Sequence, residues 1–386
     1  MNSYQYLPFY SRPTFIEIKK SAIIKNIKSL YQFVNKNKKS KNKIKICAII
    51  KSNAYGHGLK QVAEVIKNLP EVEFLGVTSL EEGVILRELN IKKPILLLGS
   101  IFPFENFKEI INYGITPTVA SISLMKELNK YLKKIGKKIS FHLKIDTGMG
   151  RIGILPESVM NFVEEYKNLR NVYCEGIYTH FSSAASDKEY TFYQLELFNN
   201  FYKTLLKYEI KPKYVHTANS AASVLYPESY FNIIRPGLII YGLKPFEGVE
   251  KFVSIEPVLA LKSKIVFLKT LPKGKYISYS KTYKTKRKIK VATLPIGYAD
   301  GILRKLSNRG KVLVKGEFCN IIGRVTMDMI MVDVTSVKDV CVGDEVVLIG
   351  RQNDKEITAE EVALWSETIN YEVVTLLSQR IPRVVI

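Results

Sequence analysis

Long apolar runs are missing from this sequence of 386 residues. The longest uninterrupted ones, such as residues 46–50 and 95–98, fall far short of the roughly 18 residues that a membrane-spanning helix needs. The first twenty residues also lack the continuous apolar core of a secretory signal, because Tyr, Pro, Arg and Glu are mixed along them. We therefore expect a cytoplasmic protein that has no membrane partner.

Cysteine is scarce and widely spaced. The four cysteines are Cys47, Cys174, Cys319 and Cys341, and they include no C-x-x-C pair. No histidine-rich tract is present that could complete a zinc site with them. The sequence therefore predicts no metal site and four reduced cysteines with structural roles.

Acidic residues are few compared with basic ones, at 36 against 58, which gives a net charge of +22. Such an imbalance can indicate a nucleic-acid or anionic-surface partner. However, the lysines are spread along the whole chain, and the densest run, residues 36–45, has no interleaved aromatic side chains that could stack on bases. We expect no nucleic-acid partner, and a salt-sensitive interaction with random duplex DNA would be the observation against this prediction.

The remaining composition, with 46% hydrophobic and 24% charged residues, is that of a globular protein. Up to about residue 240, short apolar runs alternate with amphipathic stretches whose apolar residues have helical spacing. The eight runs are residues 45–50, 73–77, 95–98, 116–119, 139–145, 174–179, 214–218 and 232–235. This alternation predicts an α/β fold with an N-terminal (β/α)₈ barrel of the TIM type, whose active site lies at the C-terminal ends of the strands.

The pattern changes after Gly242 to shorter stretches rich in Val, Ile, Lys and Gly. Period-two alternation and glycine-containing turns predict a β-rich C-terminal domain. One helix is expected over residues 358–367, where Thr358 and Glu361 have the spacing of a capping box. We therefore divide the chain into a barrel domain, residues 1–245, and a β-rich domain, residues 246–386.

Polar residues follow several of the predicted barrel strands. Lys51 ends the first strand, and alternation along residues 141–146 turns Lys144 towards the barrel interior. A lysine inside a barrel pairs with an acid, loses its proton or is chemically modified. A desolvated lysine suits Schiff-base chemistry, and Ser220 and Gly237 could cradle a phosphate group at the last two loops. A single such residue is more often part of an ion pair. Five polar strand ends together favour an active site, and they are Lys51, residues 142–146, Thr179–His180, residues 216–220 and residues 235–237.

These residues belong to a longer series of motifs that resembles the alanine racemases, which are pyridoxal-phosphate enzymes of fold type III. The series includes Ala-Ile-Ile-Lys-Ser-Asn-Ala-Tyr-Gly-His-Gly at residues 48–58 and runs in family order from about Arg12 to Arg383. The other matching stretches are residues 142–153, 176–181, 219–220, 235–237, 278–279, 295–301, 327–328, 370–372 and 380–383. The resemblance implies an isomerase that interconverts L-alanine and D-alanine and supplies D-alanine for peptidoglycan.

The resemblance also implies the catalytic residues. Lys51 would bind the cofactor covalently and, once the substrate amine has displaced it to form an external aldimine, act as one of two bases. Tyr279 of the partner subunit would be the second base, on the opposite face of the substrate α-carbon. His180 and Arg235 would lower the barrier to proton transfer electrostatically. A homodimer with shared active sites follows from these roles.

The remaining site residues are implied in the same way. Arg235 would face the pyridine nitrogen and keep it unprotonated, which disfavours transamination, and His216 would orient Arg235. The phosphate would be bound by Tyr55, Ser220, Gly237, Leu238 and Tyr371. Arg151 would contact the cofactor's phenolic oxygen and the substrate carboxylate, which Met327 and Asp328 of the partner would also meet. Tyr298 would lie in the outer part of the site.

Two positions leave alternatives open. Lys144 is often carbamylated in the resembling family, whereas a plain lysine paired with Asp146 is the simpler possibility. Thr326 stands where many family members have Cys, which bears on substrate preference.

A serine or broad-specificity racemase is the nearest alternative function. A decarboxylase of the same fold type would need an acid in place of Arg235, and a non-catalytic cofactor carrier would not need the β-rich domain.

Overall fold

The computed structural model describes residues 13–39 and 41–386. The expectations about the segment before residue 13, including Arg12, lie outside the described residues. No helix in the described ranges is long and apolar enough to cross a membrane. All four cysteines are free, and only Cys341 is exposed.

Eight parallel strands form one sheet in the order β8-β7-β6-β5-β4-β3-β2-β9. These strands are β2 (Lys45–Ile49), β3 (Val72–Val77), β4 (Ile95–Leu97), β5 (Thr116–Val119), β6 (Ile139–Lys144), β7 (Val172–Tyr178), β8 (Tyr214–His216) and β9 (Ile233–Ile234). The N–H of Arg235, just after β9, donates to the carbonyl oxygen of Ala218, just after β8, at 2.8 Å. This bond joins the two end strands, so the predicted barrel and each of its eight strands are confirmed.

Helices connect the barrel strands and cover the outside of the sheet. They are α1 (Lys20–Asn37), α2 (Lys51–Tyr55), α3 (Leu59–Ile66), α4 (Leu80–Glu88), α5 (Phe107–Asn112), α6 (Ile122–Lys134), α7 (Val159–Lys167), α8 (Lys188–Lys207) and α9 (Ala222–Leu225). Their buried positions recur at helical spacing, as with Leu124, Leu128 and Leu132 of α6. The apolar stripe of a helix such as α6 therefore packs on the sheet and leaves the strand ends to the polar site residues.

The C-terminal part is β-rich, as the sequence predicts. Its elements are β10 (Leu259–Lys264), β11 (Phe267–Leu271), β12 (Tyr276–Ile277), β13 (Tyr283–Lys284), β14 (Ile289–Leu294), β15 (Lys311–Val314), β16 (Glu317–Asn320), β17 (Ile330–Asp333), β18 (Glu345–Gln352), β19 (Lys355–Ile357), α10 (Ala359–Ser366), α11 (Asn370–Thr375) and β20 (Arg383–Val385). Helix α10 confirms the expected helix, and Thr358 and Glu361 form its capping box.

The N-terminal strand β1 (Phe15–Ile18) lies in the sheet of the β-rich part. It pairs antiparallel with β10 and parallel with β20. Ile16 and Ile18 are fully buried, while Phe15 and Glu17, which alternate with them along the strand, are half-buried. The strand before the barrel and the last strand of the chain thus fix the β-rich part beside the barrel.

Candidate active site

A cavity of about 660 Å³ opens at the C-terminal ends of the barrel strands. All nine predicted cofactor-binding residues line it, namely Lys51, Tyr55, Arg151, His180, Ser220, Arg235, Gly237, Leu238 and Tyr371. Lys144 also lines it, whereas no Asp or Glu is found among its described lining residues. Four cationic side chains without a carboxylate make this a site for an anionic ligand.

Lys51 follows the end of β2 and begins α2. Its side chain is half-buried at the edge of the cavity. Burial and the nearby Arg151 lower the pKa of Lys51, and the charge of Glu82 partly opposes them. The lowered pKa increases the fraction of neutral amine, which is the form that attacks an aldehyde or accepts a proton.

The backbone immediately after Lys51 makes a left-handed turn. Residues 52–55, none of them glycine, have φ between +52° and +54°. This conformation costs roughly 1–2 kcal/mol per residue and persists only where the surroundings hold it. Gly56 ends the turn, and a Cβ there would lie 1.9 Å from the carbonyl oxygen of Val374 in α11. The glycine therefore allows α11, which carries Tyr371, to pack directly against the turn.

Hydroxyl and amide donors converge on one side of the cavity. The Ser220 hydroxyl accepts the N–H of Gly237 at 2.8 Å, and the rings of Tyr55 and Tyr371 lie 6.3 Å apart. A Cβ at Gly237 would lie 2.5 Å from the Tyr55 hydroxyl, so only glycine fits beside it. Burial raises the pKa of both tyrosines, which keeps their hydroxyls protonated as donors. This group suits a phosphate dianion.

Arg235 lies at the bottom of the cavity and is almost fully buried. Its guanidinium donates to the carbonyl oxygens of His216 at 2.6 Å, Thr179 at 2.5 Å and Thr217 at 3.0 Å, and to Nδ1 of His216 at 3.0 Å. All four acceptors are neutral. Burial lowers the pKa of Arg235 to about 10, so the group stays a cation at neutral pH.

A chain of two histidines continues behind Arg235. Nε2 of His216 lies 2.8 Å from Nδ1 of His142. Burial, and then the charge of Arg235, lower the pKa of His142 to about 3 and that of His216 well below its usual value. Both rings are therefore neutral. Because Nδ1 of His216 accepts from Arg235, its Nε2 carries the proton and donates to His142.

His180 follows β7 and borders the same cavity. Burial lowers its pKa well below the usual value, and the charges of Arg235, Lys144, Arg151 and Lys51 lower it further, in that order. The imidazole is therefore neutral at physiological pH and presents one donor and one acceptor to the cavity.

Lys144 is only 2% exposed, and its Nζ lies 5.0 Å from the centre of the Tyr178 ring. Burial, then Arg235 and Arg151, lower its pKa to about 7, against a small opposing effect of Asp146. No carboxylate in the described ranges forms an ion pair with it, so the Lys144–Asp146 pair considered above is not formed. Lys144 is a buried amine, and a substantial fraction of it is neutral near pH 7.

Asp146 organises the loop that carries Arg151. Its Oδ1 accepts the N–H groups of Gly148, Met149 and Gly150 at 2.9–3.1 Å, and its Oδ2 accepts that of Arg151 at 3.1 Å. Burial alone would raise the pKa of Asp146, but the four hydrogen bonds hold it below its usual value. The carboxylate thus fixes the backbone that projects Arg151 into the cavity.

Tyr279, Tyr298, Met327 and Asp328 lie on the β-rich part and do not line the cavity of their own chain. They are well exposed, with Tyr279 at 69% and Met327 at 54%. The N–H of Tyr298 donates to the carbonyl oxygen of Thr326 at 3.0 Å. Asp328 pairs with Arg380 at 2.7 Å. All four residues therefore lie on the exposed surface of the β-rich part.

Sequence reasoning missed two residues of the site. Tyr178, the last residue of β7, lies under both Lys144 and Arg235, with the guanidinium carbon 5.2 Å from its ring centre. Its position next to the predicted Thr179–His180 strand end could have indicated it. Glu82 binds the turn after Lys51, and nothing in its local pattern points there. No group of three metal-ligating side chains occurs in the part of the chain that the structure describes.

The fold and the cavity define a barrel protein with a lysine-lined cavity that suits an anionic ligand. Two family models match the sequence: "Alanine racemase, N-terminal domain" over residues 18–245, and "Alanine racemase, C-terminal domain" over residues 258–385. The chain therefore belongs to the alanine racemase family.

Individual relatives agree with this assignment. The chain is 42% identical over 374 residues to an alanine racemase of Halothermothrix orenii, covering 97% of each protein. It is also 42% identical over 376 residues to an alanine racemase of Clostridium perfringens strain SM101, covering 97% of this chain and 95% of that one. Among solved structures, the alanine racemase of Clostridium difficile 630 is similar with a TM-score of 0.89 and 38% identity, covering 97% and 96%. That of Bacillus anthracis with bound L-Ala-P has a TM-score of 0.90 and 37% identity, covering 98% and 96%.

Proposed function

We propose that this protein interconverts L-alanine and D-alanine with pyridoxal phosphate as its cofactor, and so supplies D-alanine for peptidoglycan. The observation that carries the proposal is Lys51, which ends a barrel strand in a cavity with four cations and no carboxylate. When bound, pyridoxal phosphate supplies an aldehyde that reacts with amines and a ring that withdraws electrons from the substrate α-carbon. The residues present fit this group at its phosphate, its aldehyde and its ring nitrogen.

The phosphate is bound by the hydroxyl groups of Tyr55, Ser220 and Tyr371 and by the N–H of Leu238, while the N–H of Gly237 holds the Ser220 hydroxyl in place. They lie together on one side of the cavity, and Ser220 is already bonded to Gly237. Neutral donors bind a dianion without an opposing charge close by. This leaves the cationic side chains free for the ring and for the substrate.

Arg235 binds the pyridine nitrogen. It donates to neutral acceptors only and keeps its proton, so the ring nitrogen stays unprotonated. His216 holds Arg235 from behind. Arg235 would thereby favour return of a proton to the substrate α-carbon over transamination.

Lys51 would hold the cofactor and would transfer a proton at one face of the substrate α-carbon. Its lowered pKa makes the neutral amine available for this step. Tyr279 of the partner subunit transfers the proton at the opposite face. Its exposure on the β-rich part, outside its own cavity, supports a homodimer in which each site is completed by the other chain.

Arg151 contacts the phenolic oxygen of the cofactor and supplies charge to the substrate carboxylate. Asp146 fixes the loop that carries Arg151. Met327 and Asp328 of the partner subunit bind the same carboxylate through backbone groups, and Tyr298 supports them through its bond to Thr326. In this scheme residues 1–245 hold the cofactor, and residues 246–386 complete the site of the partner.

Lys144 is carbamylated in the working enzyme. Burial without an ion-pair partner and a pKa of about 7 favour the neutral amine that reacts with carbon dioxide. The resulting anion pairs with Arg151 and removes the repulsion among the cations.

The test is an assay of the purified protein with each of the twenty L-amino acids, with chiral separation of the products. We expect D-alanine as the main product, with serine as the nearest competitor. Borohydride reduction of the cofactor-loaded protein, followed by peptide mapping, should place the cofactor on Lys51, and Lys51→Ala protein should remain unlabelled. The absence of D-alanine, or a label on Lys144, would contradict the proposal.

A further inference from the structure

Helix α4 begins with a pattern that normally serves its own cap. The hydroxyl of Ser79 accepts the N–H of Glu82 at 3.3 Å. In a complete capping box the glutamate side chain returns to the N–H of the capping residue, as Glu361 does to Thr358 in α10. Glu82 instead accepts, through Oε1, the N–H of Asn53 at 2.9 Å. The Glu82 side chain thus binds the turn after Lys51 instead of capping its own helix.

Asn53 lies inside the left-handed turn, two residues after Lys51, with φ of +54°. Its own side chain accepts the N–H of Leu59 at 2.8 Å, which ties the turn to the start of α3. Glu82 therefore holds the turn from one side while Leu59 holds it from the other. A strained conformation of this kind persists only where such contacts determine it.

The second carboxylate oxygen of Glu82 is buried and accepts no hydrogen bond from the residues that the structure describes. Leaving a charged oxygen unpaired is unfavourable for folding, so this placement points to a role at the site. The charge of Glu82 acts on Lys51 against the effects of burial and Arg151. The charge of Lys51 in turn acts on His180, together with those of Arg235, Lys144 and Arg151.

We propose that Glu82 is a positioning residue for Lys51. Its carboxylate holds the left-handed turn that aims the lysine amine into the cavity, and its charge favours the protonated form of that amine. The inference rests on the proposed role of Lys51 as the residue that binds the cofactor.

Three variants test it: Glu82→Gln, Glu82→Ala and the control Glu81→Gln. In the apoprotein, the pH dependence of acylation of Lys51 is followed by mass spectrometry of the labelled peptide. Glu82→Gln keeps an oxygen for the N–H of Asn53 but removes the charge, so the midpoint of Lys51 labelling should move to lower pH. Glu82→Ala also removes the acceptor, so the dissociation constant of pyridoxal phosphate should rise at least about tenfold. Glu81 is exposed in the same turn of α4, and its variant should change neither quantity.

An unshifted midpoint in Glu82→Gln, or an unchanged dissociation constant in folded Glu82→Ala, overturns the proposal. Circular dichroism checks the fold, and if Glu82→Ala does not fold, the midpoint in Glu82→Gln decides alone. The labelling midpoint does not depend on racemase activity. Failure of the proposed function would instead show as absent racemisation by the unsubstituted protein.

Discussion

Single residues of the cavity show why it suits an anionic ligand. Arg235 and Lys144 are buried, and neither has a carboxylate partner among the described residues that line the cavity. Burying a cation without a counter-charge is strongly unfavourable unless its pKa falls or an anion arrives. Lys144 responds with a pKa of about 7, whereas Arg235 remains charged. The cofactor phosphate and a carbamylated Lys144 would supply the missing negative charges.

Replacing Arg235 with Glu should change the type of reaction. A carboxylate there would stabilise the protonated form of the pyridine nitrogen and so strengthen the electron withdrawal by the ring. Racemisation of alanine should then fall by at least about tenfold, while transamination products appear. Chiral separation measures the first and pyruvate formation the second. Arg235→Lys, which keeps the positive charge, is the control and should form no more pyruvate than the parent. A folded, cofactor-loaded Arg235→Glu protein that racemises at the parent rate would refute the role of Arg235.

The buried histidines should make stability depend on pH. The pKa of His142 is about 3 in the folded protein and about 6.5 when unfolded. Above pH 6.5 both states are neutral; as pH falls below 6.5, the unfolded state gains a proton that the folded state does not, so stability is lost. Between pH 7 and pH 5 this loss is about 2 kcal/mol for His142. Urea unfolding measures the free energy of unfolding at the two pH values. Its decrease from pH 7 to pH 5 should be smaller by this amount in His142→Gln than in the parent. An equal decrease in the two proteins would contradict the assignment.

At the scale of the elements, loops and turns after the strands aim the reactive side chains. The loop over residues 146–151 has its N–H groups collected by one carboxylate. The turn over residues 52–55 is left-handed and held from other elements. The end of a strand places a residue at the cavity. The loop or turn beside that residue then sets the direction of its side chain.

Removing the carboxylate of Asp146 should therefore act on Arg151. Asp146→Ala leaves four N–H groups without their acceptor and should lower stability by about 1–3 kcal/mol. Because the loop then holds Arg151 less firmly, KM for alanine should rise about tenfold, with a smaller effect on kcat. Asp146→Asn keeps one oxygen acceptor, so its stability and its KM should lie between those of the parent and of Asp146→Ala. Steady-state kinetics measure KM and kcat separately. A fall in kcat at constant KM would show that Asp146 does not position Arg151.

The barrel was predictable from the sequence because apolar runs such as residues 95–98 and 116–119 are short, evenly spaced and separated by amphipathic stretches. Lys51 was predictable because it directly follows such a run. The handedness of the turn after it was not, since residues 52–55 contain no glycine. The role of Glu82 was hidden by a pattern that locally predicts a capping box. The pairing of β1 with β20 joins the two ends of the chain, and no local signal reports such a contact.

At the scale of the whole molecule, the residues proposed for one reaction lie on two parts of the chain. Lys51 lines the barrel cavity, whereas Tyr279 is exposed on the β-rich part. Arg380 bonds both Asp300 and Asp328 at 2.7 Å, so the exposed surface that includes Asp328 is ordered before any partner binds. A prepared surface of this kind favours association of two chains in which each surface meets the other's cavity.

Complementation between two inactive variants tests this arrangement. Lys51→Ala lacks the residue proposed to hold the cofactor, and Tyr279→Phe lacks the proposed second proton-transferring group. In a mixed dimer, Lys51 from one chain and Tyr279 from the other would meet in one intact site, while the second site would lack both. With complete exchange at equal concentrations, half of the dimers are mixed and each has one working site, so about one quarter of the parent activity should return. Exchange is confirmed by mass spectrometry of differently tagged chains, and each variant mixed with itself is the control. Confirmed exchange without recovered racemisation would mean that each chain builds its site alone.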